Sequence, residues 1–294
     1  VDPKTTSPFA WFAALAGIAN AQNIIDGKAA PDTLGVTAVD ARTLRVQLDK
    51  PLPWFSNLTA SFAFYPVQKA NVESGDNWTR PGSLIGNGAY VLKDRVVNEK
   101  LVVVPNTHYW DNGKTVIQQV TFTPINQESA ATKRYLAGDI DITESFPKNL
   151  YQKLLKDIPG QVYTPPQLGT YYYAFNTQKG PTADERVRLA LSMTIDRRLM
   201  AEKILGTGEK PAWRFTPDVT AGFTPQPTQI ESMSQAELNA QAKALLQAAG
   251  YGPNRPLKLT LLYNTSENHQ KIAIAVASMW KKNLGVDVLS LIHI

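Results

Sequence analysis

Two periods of hydrophobic patterning meet within residues 169–200. Tyr171 to Phe175 is an aromatic and apolar run bounded by Gly169 and Asn176, which predicts a strand buried on both faces. Gly180-Pro181 ends it, and Thr182 with Glu185 makes the capping-box spacing that opens a helix. In that helix Val187, Ala190, Leu191, Thr194 and Ile195 fall on one face of a 3.6-residue period. A buried strand running into an amphipathic helix is half of an α/β unit, and the pattern alone asks for nothing more.

The same signals recur along the chain. The alanine-rich stretch from Pro8 predicts a helix reaching Ile25, closed by Asp26-Gly27-Lys28. Two alternating runs, 34–39 and 43–48, flank Asp40-Ala41-Arg42 as a hairpin. Further strands are predicted over 86–92, 100–104, 119–123 and 139–143. A helix over 126–137 has Gly138 as its terminating glycine, and another over 151–156 stops at Pro159-Gly160. Residues 204–227, rich in proline and glycine, read as a long irregular segment, a type that is often functional. Ser234 with Glu237 caps a helix running to Ala249. A strand over 257–263 follows, then a helix capped by Asn264 with Glu267, and a further strand opening at Val286.

Length and composition narrow the function. At 294 residues and 43% hydrophobic, the chain can bury a sizeable core divided over about two domains. No apolar run approaches the ~20 residues that span a bilayer. Val1-Asp2-Pro3-Lys4 is not a signal peptide, so the sequence reads as processed or truncated. Without cysteine there are no disulfides, cysteine–zinc sites or thiol nucleophiles. The net charge of +5 raises nucleic acid as a partner, but the basic residues are scattered and no basic stripe interleaves with aromatics. A solvated basic surface accounts for the charge, and no nucleic-acid partner is expected.

Catalytic signals are sparse. His108, His269 and His293 are far apart and lack metal-ligand spacing, so no metal site is expected. Asp139 and Asp141 would share a strand face, which suits acid–base work but serves solubility just as well. No nucleophile elbow or phosphate loop occurs, and Gly86-Asn87-Gly88 reads as a turn. The positive signal is aromatic: in the run Tyr171-Tyr172-Tyr173, Tyr172 and Ala174 face opposite to Tyr173. A strand edge beside a cavity can pair with an extended peptide through its backbone, with little regard to side-chain identity.

The motifs, taken in order, resemble one family. Asp184, Arg186-Val187-Arg188, Ala190-Leu191 and Ile195-Asp196-Arg197 are similar to a recurring pattern of the family 5 extracellular solute-binding proteins. Gly86-Asn87-Gly88-Ala89-Tyr90, Tyr109-Trp110-Asp111-Asn112, Gly138-Asp139-Ile140-Asp141-Ile142-Thr143 and Ala248-Ala249-Gly250-Tyr251 agree collinearly. The resemblance implies an α/β, periplasmic-binding-protein type II-like fold, with two hinged lobes plus an extra lobe, here a truncated fragment. Residues 1–66 would belong to the extra lobe, 67–168 to the first ligand-binding lobe and 169–288 to the second. Residues 289–294 do not look like the family's continuation and read as a candidate non-native tail.

By the same resemblance the protein would be a periplasmic monomer without a catalytic step or cofactor. It would capture short peptides, murein tripeptide among them, and deliver them to an ABC permease in the inner membrane. Ligand-facing positions would be Phe9 and Ser61 in the extra lobe, Glu144 and Ser145 after the 139–143 strand, and Tyr172, Ala174 and Asn176 in the crossing between lobes. Oligopeptide-binding members of the family carry a cysteine where Gly169 stands and a glutamate where Ala174 stands. Loss of that carboxylate would suit an acidic ligand. The rival reading is a cell-wall peptide hydrolase, which would need a nucleophile–base pair or a metal.

Overall fold

A computed structural model describes residues 1–292; His293 and Ile294, the end of the predicted tail, lie outside the described residues. The chain divides into two compact units, Val1–Pro124 and Ile125–Ile294.

In the first unit the predicted opening helix is two helices, α1 (Ala10–Leu15) and α2 (Ala21–Ile25). The break has a steric cause. Gly17 and Asn20 take left-handed φ values of 65° and 63°, and a Cβ on Gly17 would stand 2.6 Å from Leu52 Cδ1. The hairpin forms as expected from β1 (Val36–Ala38) and β2 (Leu44–Val46), with Val36 opposite Val46. Ala16, Ile18 and Ala21 make a small core with Phe55, Leu58 and Phe64. Beyond it β3 (Tyr90–Val96), β4 (Lys100–Pro105) and β5 (Val120–Phe122) form an antiparallel meander whose register shifts between Leu92 and Asp94. Buried Asn106 follows β4. Its carboxamide donates to Gly86 O and Gly88 O at 3.3 and 2.9 Å and accepts from His108 N at 3.0 Å, tying the glycine motif to the aromatic loop.

The second unit holds the larger core. Helix α3 (Glu128–Leu136) ends where Gly138 adopts φ 82°, and Asp139 N then bonds back to Arg134 O at 2.9 Å. That helix-terminating turn consumes the start of the predicted 139–143 strand, which does not form. Asp139 lies 3.9 Å from Arg134 and not in a carboxylate pair on a strand. Helix α4 (Tyr151–Asp157) follows as expected.

Helix α5 (Glu185–Thr194) buries Val187, Ala190, Leu191 and Thr194, the predicted face. Its cap is Asp184, which accepts from Arg186 N at 2.8 Å; the Thr182 hydroxyl is committed to Asn176 O instead. Helix α6 (Gln235–Ala248) has the predicted Ser234/Glu237 capping box. Strands β6 (Lys258–Tyr263) and β7 (Asp287–Ile292) pair in parallel and are joined by helix α7 (Glu267–Leu284), a βαβ unit. Ser266, not Asn264, caps α7 by accepting from His269 N, whereas Asn264 Oδ1 accepts from Ser266 N, two residues ahead of the cap position. The β6–β7 register runs on through Tyr263 opposite Ile292, so residues 289–292 extend the strand. Leu191, Leu246, Leu257, Ile272, Val276, Trp280 and Val286 form the core between these elements.

The predicted strand at Tyr171–Phe175 makes no ladder among the described residues. Its aromatic residues have strand propensity, but a strand also needs a backbone partner. It is held by side chains instead: Tyr173 and Phe175 pack on the core.

Candidate ligand-binding site

The segment through residue 176 keeps a two-residue alternation without a ladder. Tyr173 and Phe175 turn inward, while Tyr172, Ala174 and Asn176 are exposed, Tyr172 by 59%. The structure therefore brings these three expected positions together on one face. Tyr171 and Tyr173 meet edge to face at 5.7 Å, and burial pushes both phenols above their ordinary pKa. Asn176 spends its side chain locally, accepting from Gln178 N and Lys179 N at 2.9 and 3.1 Å.

Phe215, to which the sequence reading gave no role, stands edge to face with Tyr172 at 5.0 Å. The irregular segment carrying it is anchored on both sides. Arg197 Nε donates to Ala212 O and its guanidinium stacks on Trp213, while Arg214 pairs with Asp218 and Glu231. Thr170 Oγ1 donates to Phe215 O at 2.7 Å. The only sequence signal was the proline- and glycine-rich composition of that segment.

Glu144 and Ser145 lie on a different segment, both exposed. Glu144 lines a cavity of about 460 Å³ with Tyr135, Thr143, Phe146, Leu154 and Tyr163. Tyr135 Oη donates to Gln161 Oε1 at 2.6 Å across its rim. Just beyond, Lys148 Nζ reaches Thr207 Oγ1 and Glu209 Oε1, each at 3.0 Å. Burial pushes the Glu209 carboxyl up, but hydrogen bonds from Thr207 and Lys148 outweigh it and hold it below the usual glutamate value.

In the first unit Phe9 stands edge to face with Phe62 at 4.9 Å, both rings exposed, and Ser61 immediately precedes Phe62. Phe9 thus packs on the residue that follows Ser61. Among the described residues no cluster of three His, Asp or Glu side chains is arranged to hold a metal.

The model for bacterial extracellular solute-binding proteins, family 5 Middle, matches residues 1–289. The chain belongs to this family. It is 88% identical over 288 residues to the periplasmic murein peptide-binding protein MppA of Escherichia coli (strain K12), covering 98% of this chain and 54% of that protein. It is 47% identical over 289 residues to the periplasmic oligopeptide-binding protein OppA of Salmonella typhimurium, covering 98% of this chain and 53% of the relative. The solved structure of the Escherichia coli murein tripeptide binding protein MppA matches with a TM-score of 0.96 at 86% identity, over 99% of this chain and 57% of that one. The chain spans about half the length of the curated relatives it matches. Its fold class is the α/β, type II periplasmic-binding-protein class of these family members. Both relatives are named as binding proteins.

Proposed function

We propose that this chain belongs to a periplasmic protein that captures short peptides, murein tripeptide among them, and passes them to an ABC permease. The observation that carries this reading is the 88% identity, sustained over 98% of the chain, to a protein named for binding murein peptide. In this reading residues 1–66 belong to an extra lobe, 67–168 to the first ligand-binding lobe and 169–288 to the second. Phe9, Ser61, Glu144, Ser145, Tyr172, Ala174 and Asn176 contact the peptide. Hinge closure traps the ligand, and no catalytic step or cofactor enters. The hydrolase alternative has no observation in its favour.

The test is native mass spectrometry of the full-length protein purified from its own periplasm, followed by calorimetry with murein tripeptide. An intact bound peptide and saturable binding are expected. Cleaved fragments would favour the hydrolase, and absence of any binding would overturn the reading.

A further inference from the structure

The backbone that follows Ser145 is held by a side chain rather than by a sheet neighbour. Asn268, in the first turn of α7 and 9% exposed, donates from Nδ2 to Phe146 O at 3.1 Å. Its Oδ1 accepts from Lys148 N, also at 3.1 Å. A carboxamide has one acceptor side and one donor side, like a peptide group. Bonding the C=O of one residue and the N–H two residues on is the pattern that a residue of a parallel strand makes with its neighbour. Asn268 thus does the work of one residue of a parallel strand, centred on buried Pro147, which has no N–H to satisfy.

The clamp is itself anchored. Ser266 Oγ and Glu267 N donate to the Glu128 carboxylate, and Ser129 N and Oγ donate to the Glu267 carboxylate, so the start of α7 is fixed to the start of α3. On the other side of Pro147, Lys148 Nζ is fixed by Thr207 and Glu209. Glu144 and Ser145 therefore lie immediately upstream of a pinned segment.

We propose that Asn268 is a positioning residue for peptide capture: it sets the backbone of Phe146–Lys148 and through it the placement of Glu144 and Ser145. This rests on the reading above that those two residues meet the peptide. A buried polar side chain is needed only for stability if the segment is scaffold, and also for affinity if the segment is part of the site.

The experiment uses the full-length protein, its Asn268→Ala and Asn268→Asp variants, and Leu246→Ala as a core control remote from the segment. Asn268→Ala removes both bonds; Asn268→Asp keeps the acceptor for Lys148 N and loses the donor to Phe146 O, so a folded variant remains if alanine is too disruptive. Calorimetric Kd for murein tripeptide is read below every variant's Tm, with hydrogen exchange over 144–149. Loss of buried hydrogen bonds that order a binding loop should weaken binding about tenfold in either Asn268 variant, with faster exchange confined to that segment. Leu246→Ala should lower Tm and leave Kd within about twofold, since separate sites add independently. Unchanged Kd in both folded Asn268 variants, despite faster exchange, overturns the positioning role. Failure of the unmodified protein to bind would instead sink the proposed function.

Discussion

Glu128 and Glu267 each begin a helix, and each caps the helix that the other begins. The Glu128 carboxylate accepts from Ser266 Oγ and, at 2.8 Å, from Glu267 N. The Glu267 carboxylate accepts from Ser129 N at 2.8 Å and from Ser129 Oγ at 2.7 Å. Two like charges are tolerated at one junction because each faces the free N–H groups and positive dipole end of the opposite helix. Residues far apart in sequence thereby fix α7 to α3.

The reciprocity predicts strong coupling. Glu128→Ala or Glu267→Ala should each cost about 1–2 kcal/mol, the usual loss of a helix cap. The double variant should cost less than the sum of the two, because each single change already loosens the junction that the other needs. Urea unfolding of the three variants measures this, and additive costs would argue that the two caps act independently.

The same junction should be acid-labile. Burial pushes the Glu128 carboxyl up, but hydrogen bonds from the Ser266 hydroxyl and the Glu267 N–H outweigh it and leave the group below its ordinary value of 4.5. A depressed folded pKa contributes stability that is fully present above the unfolded value and is lost as pH falls through the folded one. Unfolding free energy should therefore fall below pH 4.5. Glu128→Gln should be less stable at neutral pH, and its deficit should shrink on acidification. A deficit that stayed constant with pH would show that charge at Glu128 contributes nothing.

Trp280 separates packing from hydrogen bonding in the core. It is 2% exposed, and its Nε1 donates at 2.8 Å to Leu191 O, one of the last carbonyls of α5, which lacks an intrahelical partner. Trp280→Phe keeps most of the ring volume and strands that carbonyl, for a cost of about 1–3 kcal/mol. Trp280→Ala adds a cavity and should cost about 3–5 kcal/mol. Denaturant titration distinguishes the two, and equal costs would mean that the indole N–H carries the whole effect.

Periodicity was the legible part of the fold. The buried face of α5, the β1–β2 hairpin, and the separate elements α6, β6, α7 and β7 were legible from repeats of 3.6 or 2.0 residues and from their caps. What escaped was decided by backbone and hydrogen-bond partners that a segment's own periodicity does not specify. Tyr171–Phe175 has strand composition and strand alternation but no ladder, and backbone pairing is not written in a segment's own residues. Thr182 matched a capping box, yet its hydroxyl is drawn to Asn176 O and Asp184 takes the cap. The candidate site divides the same way. Tyr172 and Ala174 were legible as one face and Asn176 was added by the family resemblance, whereas Phe215 meets Tyr172, and Asn268 meets Phe146, from segments tens of residues away.

Ala174 offers the sharpest test of ligand class. Its position is exposed between Tyr172 and Asn176, and by the family resemblance it would stand where oligopeptide-binding members carry a glutamate. If the missing carboxylate fits the site to an acidic peptide, restoring it by Ala174→Glu places like charges together. Two such charges at 4 Å repel by about 1 kcal/mol in water and about 4 kcal/mol in a half-buried setting. Affinity of the full-length protein for murein tripeptide should therefore fall about tenfold or more, and the loss should diminish as salt screens the repulsion. A peptide without net negative charge should be spared. Because an exposed Ala→Glu change removes no packing, Tm should stay within a few degrees, which keeps the affinity readout free of unfolding. Unchanged affinity for the tripeptide at low salt would mean that this face does not meet the ligand's charge.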